Sequence, residues 1–270
     1  MDSMNTPMPA IRWISLILLS LGYDLALSHG ELTLPATVTF GLLMMAGVCV
    51  TQFKQPVVVW FGHGLFIALA IALASHWLPG FYSERVIAAQ RFSEHAAPFS
   101  MYLNLDKPLI GLWILLACPW ALKAVRAGQV VKTSLLTLTG TGLLCISAAV
   151  MLGIIGWAPK WPEQSMLWLL NNLLLVTLTE ELLFRAYLQG GLQHLLRRFQ
   201  YGGALALALA AAVFGLVHLG GGWQWALLAG VAGIGYGLAW RYGGLPAAVA
   251  THFGVNLLHF SLFTYPMFDR

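Results

Sequence analysis

The stretch WLLNNLLLVTLTEELLFR, from Trp168 to Arg185, decides the fold of this chain. It is long and apolar enough to belong to a membrane-spanning helix, which needs about 20 residues to cross a bilayer. The stretch nevertheless ends with two adjacent carboxylates, Glu180 and Glu181, and with the guanidinium of Arg185. Charged groups inside a bilayer are costly and usually serve a function. The sequence therefore predicts a membrane helix that carries a functional site.

Composition extends the membrane assignment to the whole chain. The 270 residues are 59% hydrophobic and only 9% charged, with a mean hydropathy of +0.77, whereas soluble domains are about 25% charged. Such a chain has too little polar surface to face water, so we expect an all-α, polytopic transmembrane helical bundle of about eight to nine spans. The predicted spans cover residues 12–29, 34–52, 57–78, 108–125, 134–157, 165–189, 203–219, 223–241 and 245–264.

Residues 81–106 form the one long polar segment between the apolar runs. This segment predicts a surface loop with a short amphipathic helix that lies in the membrane interface. We interpret the chain as one continuous membrane domain. Residues 1–160 supply spans without a recognisable motif, and residues 161–270 hold the polar groups that carry chemistry.

The charges are few and scattered along the chain. The net charge is +4, without a block of Lys and Arg and without a nucleic-acid-binding module, so we expect no nucleic acid partner. With a cytoplasmic N-terminus, eight Lys and Arg residues fall on the inner side of the predicted spans and five on the outer side. The positive-inside rule therefore predicts a cytoplasmic N-terminus.

Two further groups of polar side chains interrupt the late spans. Phe214 and His218 lie four residues apart at the end of an Ala- and Leu-rich helix. His252 and Asn256 have the same spacing within the last span, and His259 continues their stripe. Residues four apart share one face of a helix, so each pair presents its side chains together.

The same spacing pairs Glu181 with Arg185. Adjacent helical residues point about 100° apart, so we expect that Glu180 and Glu181 do not face the same partner. One of the two carboxylates is then catalytic, and the other is structural and held by Arg185.

Each polar residue also has a simpler interpretation. A membrane His or Asn often donates a hydrogen bond between packed helices, and a Glu–Arg pair at this spacing also occurs as a salt bridge at a helix end. Six strongly polar side chains on three late helices are, however, hard to explain by packing alone. Their coincidence favours convergence on one cavity.

The ordered motifs E-E-x-x-x-R, F-x-x-x-H and H-x-x-x-N resemble those of the CAAX protease and bacteriocin-processing family of intramembrane endopeptidases. The resemblance covers about residues 165–262, and all three motifs fit without departure. It implies that the catalytic membrane region of this family lies within residues 161–270.

The resemblance also implies a role for each motif residue. Glu180 acts as the general base that activates a water molecule, and His218 holds that water. His252 and Asn256 donate hydrogen bonds to the oxyanion that forms when the peptide carbonyl is attacked. The supporting residues are Glu181 and Arg185, which orient the site, and Phe214, which packs behind it. Apart from the resemblance, we expect His259 to line the site, because it lies on the stripe of His252 and Asn256.

A metal ion is the alternative means of activating water. Glu180, His218 and His252 would make a two-His, one-carboxylate set that suits zinc with an open position. The H-E-x-x-H motif of classical zinc peptidases is absent from the sequence. We expect glutamate chemistry without a cofactor, and zinc stays open as the alternative.

The resemblance implies a peptide or protein substrate with a membrane-associated or lipidated segment, and membrane lipid as the second partner. Members of the family trim prenylated tails or process bacterial peptides, and the motif spacing does not separate these substrates. The compact length favours a bacterial inner-membrane protein. Two other classes are a transporter or channel that uses the buried Glu and His, and a non-catalytic immunity or partner-binding protein. Paired repeats, which are typical of transporters, are not visible in the sequence.

Overall fold

The structure is a computed structural model, and it describes residues 21–24, 26–118 and 124–269. Most of the predicted span at residues 12–29 lies outside these ranges. The described chain is mostly helical and divides into two compact units, one with the described residues of Met1–Glu84 and Asn104–Pro119 and one with those of Arg85–Leu103 and Trp120–Arg270.

Among its described residues, the first unit includes three apolar helices of ten residues or more. They are α1 (Ala36–Gln52), α2 (Pro56–Ala74) and α3 (Pro108–Ala117). Trp113 of α3 holds them together, since its ring stacks on Phe66 of α2 at 3.8 Å and its indole N–H donates to the Leu43 carbonyl of α1 at 2.9 Å. In the same unit, His76 Nδ1 lies 2.6 Å from Oδ2 of the buried Asp106.

The polar segment at residues 81–106 contains strands and no helix, so the predicted amphipathic helix is wrong. Strands β1 (Glu84–Gln90) and β2 (Phe99–Leu103) pair in a two-stranded sheet. Ile87 and Met101 are the buried residues of these strands, and they pack with Phe92, Trp168 and Phe260. One buried side chain in each short strand suits the alternating faces of a sheet, whereas an amphipathic helix needs a wider apolar stripe.

The second unit contains the four helices that surround the predicted site. They are α4 (Ala127–Met151), α5 (Ser165–Leu195), α6 (Gly202–Leu216) and α7 (Trp223–Leu262). Helix α5 is irregular, because two stretches of π-helix, Asn171–Thr177 and Leu182–Gln189, flank the short α-helical stretch Leu178–Glu181. π-Helical turns are rare in proteins, and those that occur are frequently found at functional sites.

The two halves of α7 correspond to the predicted spans at residues 223–241 and 245–264. The stretch Trp223–Leu262 consists of two helices that meet at a kink at Gly244, with no loop between them. Gly244 has φ +70, a backbone conformation that glycine adopts without steric cost. Pro246 lies just beyond and has no N–H for the helical hydrogen bond, so the helix changes direction here.

Three of the described helices, α2, α4 and α5, are long and apolar enough to cross a membrane. Helices α1, α3 and α6 are apolar but shorter. The structure confirms the mostly helical fold, to which it adds the small sheet, and does not confirm the predicted number of spans. The proposed division of roles at residue 160 stays a prediction.

Helices α6 and α7 approach each other most closely at a glycine. A Cβ atom on Gly215 would lie 2.7 Å from the Ala226 carbonyl oxygen and 3.1 Å from the Gly230 Cα. Small residues allow membrane helices to pack with their backbones close together. The absence of a side chain at position 215 therefore sets the distance between these two helices.

We expect Gly215→Val to destabilise the protein by about 1–3 kcal/mol, because the added side chain has to push the two backbones apart. The measurement is thermal unfolding of the purified protein in detergent. Gly140→Val is the matched control, since a Cβ atom on Gly140 of α4 meets no other atom within 4 Å. Equal unfolding midpoints for the two variants would contradict this account of the helix contact.

Candidate active site

The carboxylate of Glu181 lies at the centre of the site and is fully buried. Its Oε2 accepts a hydrogen bond from Arg185 Nε at 3.2 Å, one helical turn along α5. Its Oε1 lies 2.9 Å from His252 Nδ1 on the second half of α7. Because an ionised carboxylate only accepts hydrogen bonds, His252 carries a proton on Nδ1 and directs Nε2 away from Glu181.

Glu180 approaches the other edge of the same imidazole. Its Oε2 lies 3.9 Å from His252 Nε2, and its side chain is 29% exposed. The expectation that the two glutamates do not face one partner is therefore wrong. An imidazole has nitrogens on two edges, and the three side-chain torsions of Glu overcome the 100° between adjacent Cβ atoms.

His218 follows the end of α6 and has a defined orientation. Its Nδ1 lies 2.7 Å from the Phe214 carbonyl oxygen, so the Nδ1 proton is donated to the backbone. In the neutral ring, Nε2 then has a free lone pair. The buried Phe214 ring lies 4.7 Å from the His218 ring and 5.8 Å from the His252 ring, so it packs beside both histidines.

Three residues of the site were not predicted from the sequence. Tyr236, on the first half of α7, stacks on the His252 ring at 4.3 Å with an interplanar angle of 13°. Asn172 Oδ1 accepts hydrogen bonds from Asn256 Nδ2 at 3.2 Å and from Thr177 Oγ1 at 3.3 Å. The amide of Asn172 inside an apolar span was a usable signal, whereas the position of Tyr236 had no periodic relation to the motifs.

These elements enclose a cavity of about 160 Å³. Glu180, His218, His252 and Asn256 all line it, and so does His259, whose Nε2 lies 3.1 Å from the Thr264 carbonyl oxygen. Glu181 and Arg185 lie behind this wall and are fully buried. The rest of the lining is mostly apolar and includes Ile146, Ala149, Ile155, Val176, Leu228 and Val255.

The loop before α5 holds the end of α7 in place. Backbone N–H groups of Ala158 and Lys160 donate to the carbonyls of Leu262 and Ser261, and Lys160 Nζ donates to the Phe263 carbonyl. Burial lowers the pKa of Lys160 to about 8. These bonds fix the helix end that follows Asn256 and His259.

The residues proposed as an alternative zinc set do not form a metal centre in this geometry. Across the described ranges, no three His, Cys, Asp or Glu side chains lie close enough together to hold an ion. We derive no step through a metal, and the choice between glutamate chemistry and zinc stays a prediction.

A carboxylate and histidines at a small cavity among apolar helices can activate water for hydrolysis. Residues 162–258, about a third of the chain, match the family model described as "Type II CAAX prenyl endopeptidase Rce1-like". This match contains all three motifs and confirms the family resemblance seen in the sequence. Comparisons with curated proteins and with solved structures gave no match.

The family match indicates an integral membrane peptidase that acts on a protein or peptide substrate. It gives no support to the transporter or to the non-catalytic binding protein.

We expect Glu181→Gln to lower the free energy of unfolding by about 3–5 kcal/mol, because it leaves the buried guanidinium of Arg185 without its counter-ion. Unfolding in mixed detergent micelles measures this loss. The double variant Glu181→Gln/Arg185→Met recovers part of it, since it removes both charges.

Asp269→Asn is the matched control for this experiment. Asp269 and Arg91 form a pair with an N–O distance of 2.6 Å, but both side chains are 47% exposed. An exposed pair contributes about 1 kcal/mol or less. If Glu181→Gln cost no more than Asp269→Asn, the buried pair would not be the central support of the site.

Proposed function

We propose that this chain is an intramembrane endopeptidase in which Glu180 activates a water molecule for attack on a peptide bond. The observation that carries the proposal is the difference between the surroundings of the two glutamates. Glu181 is buried and occupied by Arg185 and His252, whereas Glu180 lines the cavity together with His218. The only motif carboxylate that can meet a water molecule is thus the one that the family resemblance assigns as the base.

Water activation follows from the two groups at the cavity wall. The Glu180 carboxylate accepts one proton of the water, and the free Nε2 lone pair of His218 accepts a hydrogen bond from the other. With both protons directed to the protein, the oxygen lone pair faces the substrate carbonyl. Glu180 then passes its proton to the leaving amine, so that the base of the first step is the acid of the second.

The oxyanion is stabilised from α7. Since Nδ1–H of His252 is donated to Glu181, its donation to the oxyanion uses Nε2–H and requires the imidazolium. The charges then balance, because His252 and Arg185 oppose Glu180 and Glu181. The amide N–H of Asn256 supplies a second donor, and two aimed donors are the usual device for a tetrahedral intermediate.

The apolar lining indicates the class of substrate. A cavity with a mostly aliphatic wall favours the tail or anchor segment of a membrane-associated or lipidated protein or peptide. The low charge supports a membrane location, and the distribution of Lys and Arg supports a cytoplasmic N-terminus. A bacterial inner membrane is part of the proposal.

The test is cleavage of a panel of membrane-associated peptides, with prenylated and unmodified tails, by purified protein in liposomes. We expect Glu180→Gln and His218→Ala to lower the cleavage rate at least about 100-fold, because general base catalysis contributes about that much. Both variants should retain the unfolding midpoint of the unsubstituted protein. Parallel reactions with EDTA test the metal alternative, and the proposed chemistry is insensitive to the chelator.

Glu163→Gln is the matched control, because Glu163 is an exposed acid in the loop before α5. It should cleave at the unsubstituted rate. Cleavage by folded Glu180→Gln at that rate would overturn the assignment of the base.

A further inference from the structure

We infer that Asn172 is a positioning residue of this site, which fixes the side-chain amide of Asn256 so that an N–H of Asn256 faces the oxyanion. The inference rests on the proposed function and extends it to a residue outside the three motifs. Asn172 lies on α5, eight residues before Glu180, and only 8% of it is exposed.

The hydrogen bonds of Asn172 form a short chain across two helices. Thr177 Oγ1 and Asn256 Nδ2 both donate to Asn172 Oδ1, at 3.3 and 3.2 Å. The two lone pairs of this oxygen are thereby both used. Because Thr177 is fully buried, no water competes for the bond that holds Asn172 in place.

The π-helix explains why Asn172 and Thr177 meet. Residues five apart on an α-helix point about 140° away from each other. The stretch Asn171–Thr177 is π-helical, and i to i+5 hydrogen bonding brings residues five apart to the same face. The wide turn therefore has an identifiable role, which is to let Thr177 orient the amide that in turn orients Asn256.

Orientation matters for Asn256 because its side chain has a donor end and an acceptor end of nearly the same shape. The bond to Asn172 specifies that the nitrogen faces α5, and it uses one of the two N–H groups. Asn256 also lines the cavity, one helical turn after His252. If the amide turned over, its carbonyl oxygen would repel the oxyanion in place of the lost N–H.

The test compares Asn172→Leu, Asn172→Asp and Thr177→Val on a substrate that the unsubstituted protein cleaves. We expect Asn172→Leu to lower kcat about tenfold, less than the roughly 100-fold loss on removal of an oxyanion donor. KM and the unfolding midpoint stay near their unsubstituted values. Asn172→Asp retains an acceptor oxygen at the same length and recovers most of kcat, while Thr177→Val gives a smaller loss than Asn172→Leu.

Asn171→Leu is the matched control, because it removes the neighbouring amide from the same π-helical turn. The decisive measurement is a double-mutant cycle. In the Asn256→Ala background, Asn172→Leu should cause no further loss of kcat, since the group that it orients is already gone.

Each contrary result has a distinct meaning. A further tenfold loss in the Asn256→Ala background, or an equal loss from Asn171→Leu, would overturn the positioning role and leave the peptidase intact. Full activity of Asn256→Ala would instead overturn the oxyanion role in the proposed function, and this inference with it.

Discussion

The site depends on one buried carboxylate. An ion without water must be paired and hydrogen-bonded, or it destabilises the fold by several kcal/mol. Glu181 meets this requirement with Arg185 on its own helix and His252 on another. The need to neutralise a charge therefore joins α5 to the second half of α7, and it fixes the proton on His252 Nδ1 in the same step.

Aromatic rings also pack against the two partners of Glu181 and help to hold them in place. The Arg185 guanidinium lies over the Phe214 ring, 4.9 Å from its centre, and Tyr236 covers the face of His252. Aromatic faces suit a cation in a dry environment better than aliphatic groups do. Glu181 and Arg185 thus support the site from behind the cavity wall, while Glu180 and His218 face the cavity.

The sequence contained enough to predict the pairs within one helix, because charges in an apolar helix need partners and a spacing of four places them on one face. That reasoning predicted the Glu181–Arg185 pair. It did not predict that Glu180 also approaches His252, or that Asn172 bonds to Asn256. Both depend on side-chain torsions and on contacts between helices, which the order of residues along one helix does not contain.

The fold was also predictable only in part. Apolar runs predicted helices, and exposed leucines along α4, such as Leu135 and Leu143, fit a chain whose solvent is lipid. The hairpin escaped prediction because its two buried residues, Ile87 and Met101, act through partners distant in sequence. The break between the last two helices was predicted near Gly244, but their connection by a bend was not, because Gly244 and Pro246 are also typical of a loop.

The bend at Gly244 means that the second half of α7 cannot accommodate an inserted residue without a change in its orientation. Where a loop joins two helices, the loop can take up an inserted residue and the helices keep their positions. At Gly244 there is no loop, and the helix resumes directly after the bend. One residue added between Gly244 and His252 would turn everything after it by about 100° and carry His252 away from Glu181. The number of residues between the bend and the histidine is therefore as much a part of the site as the histidine itself.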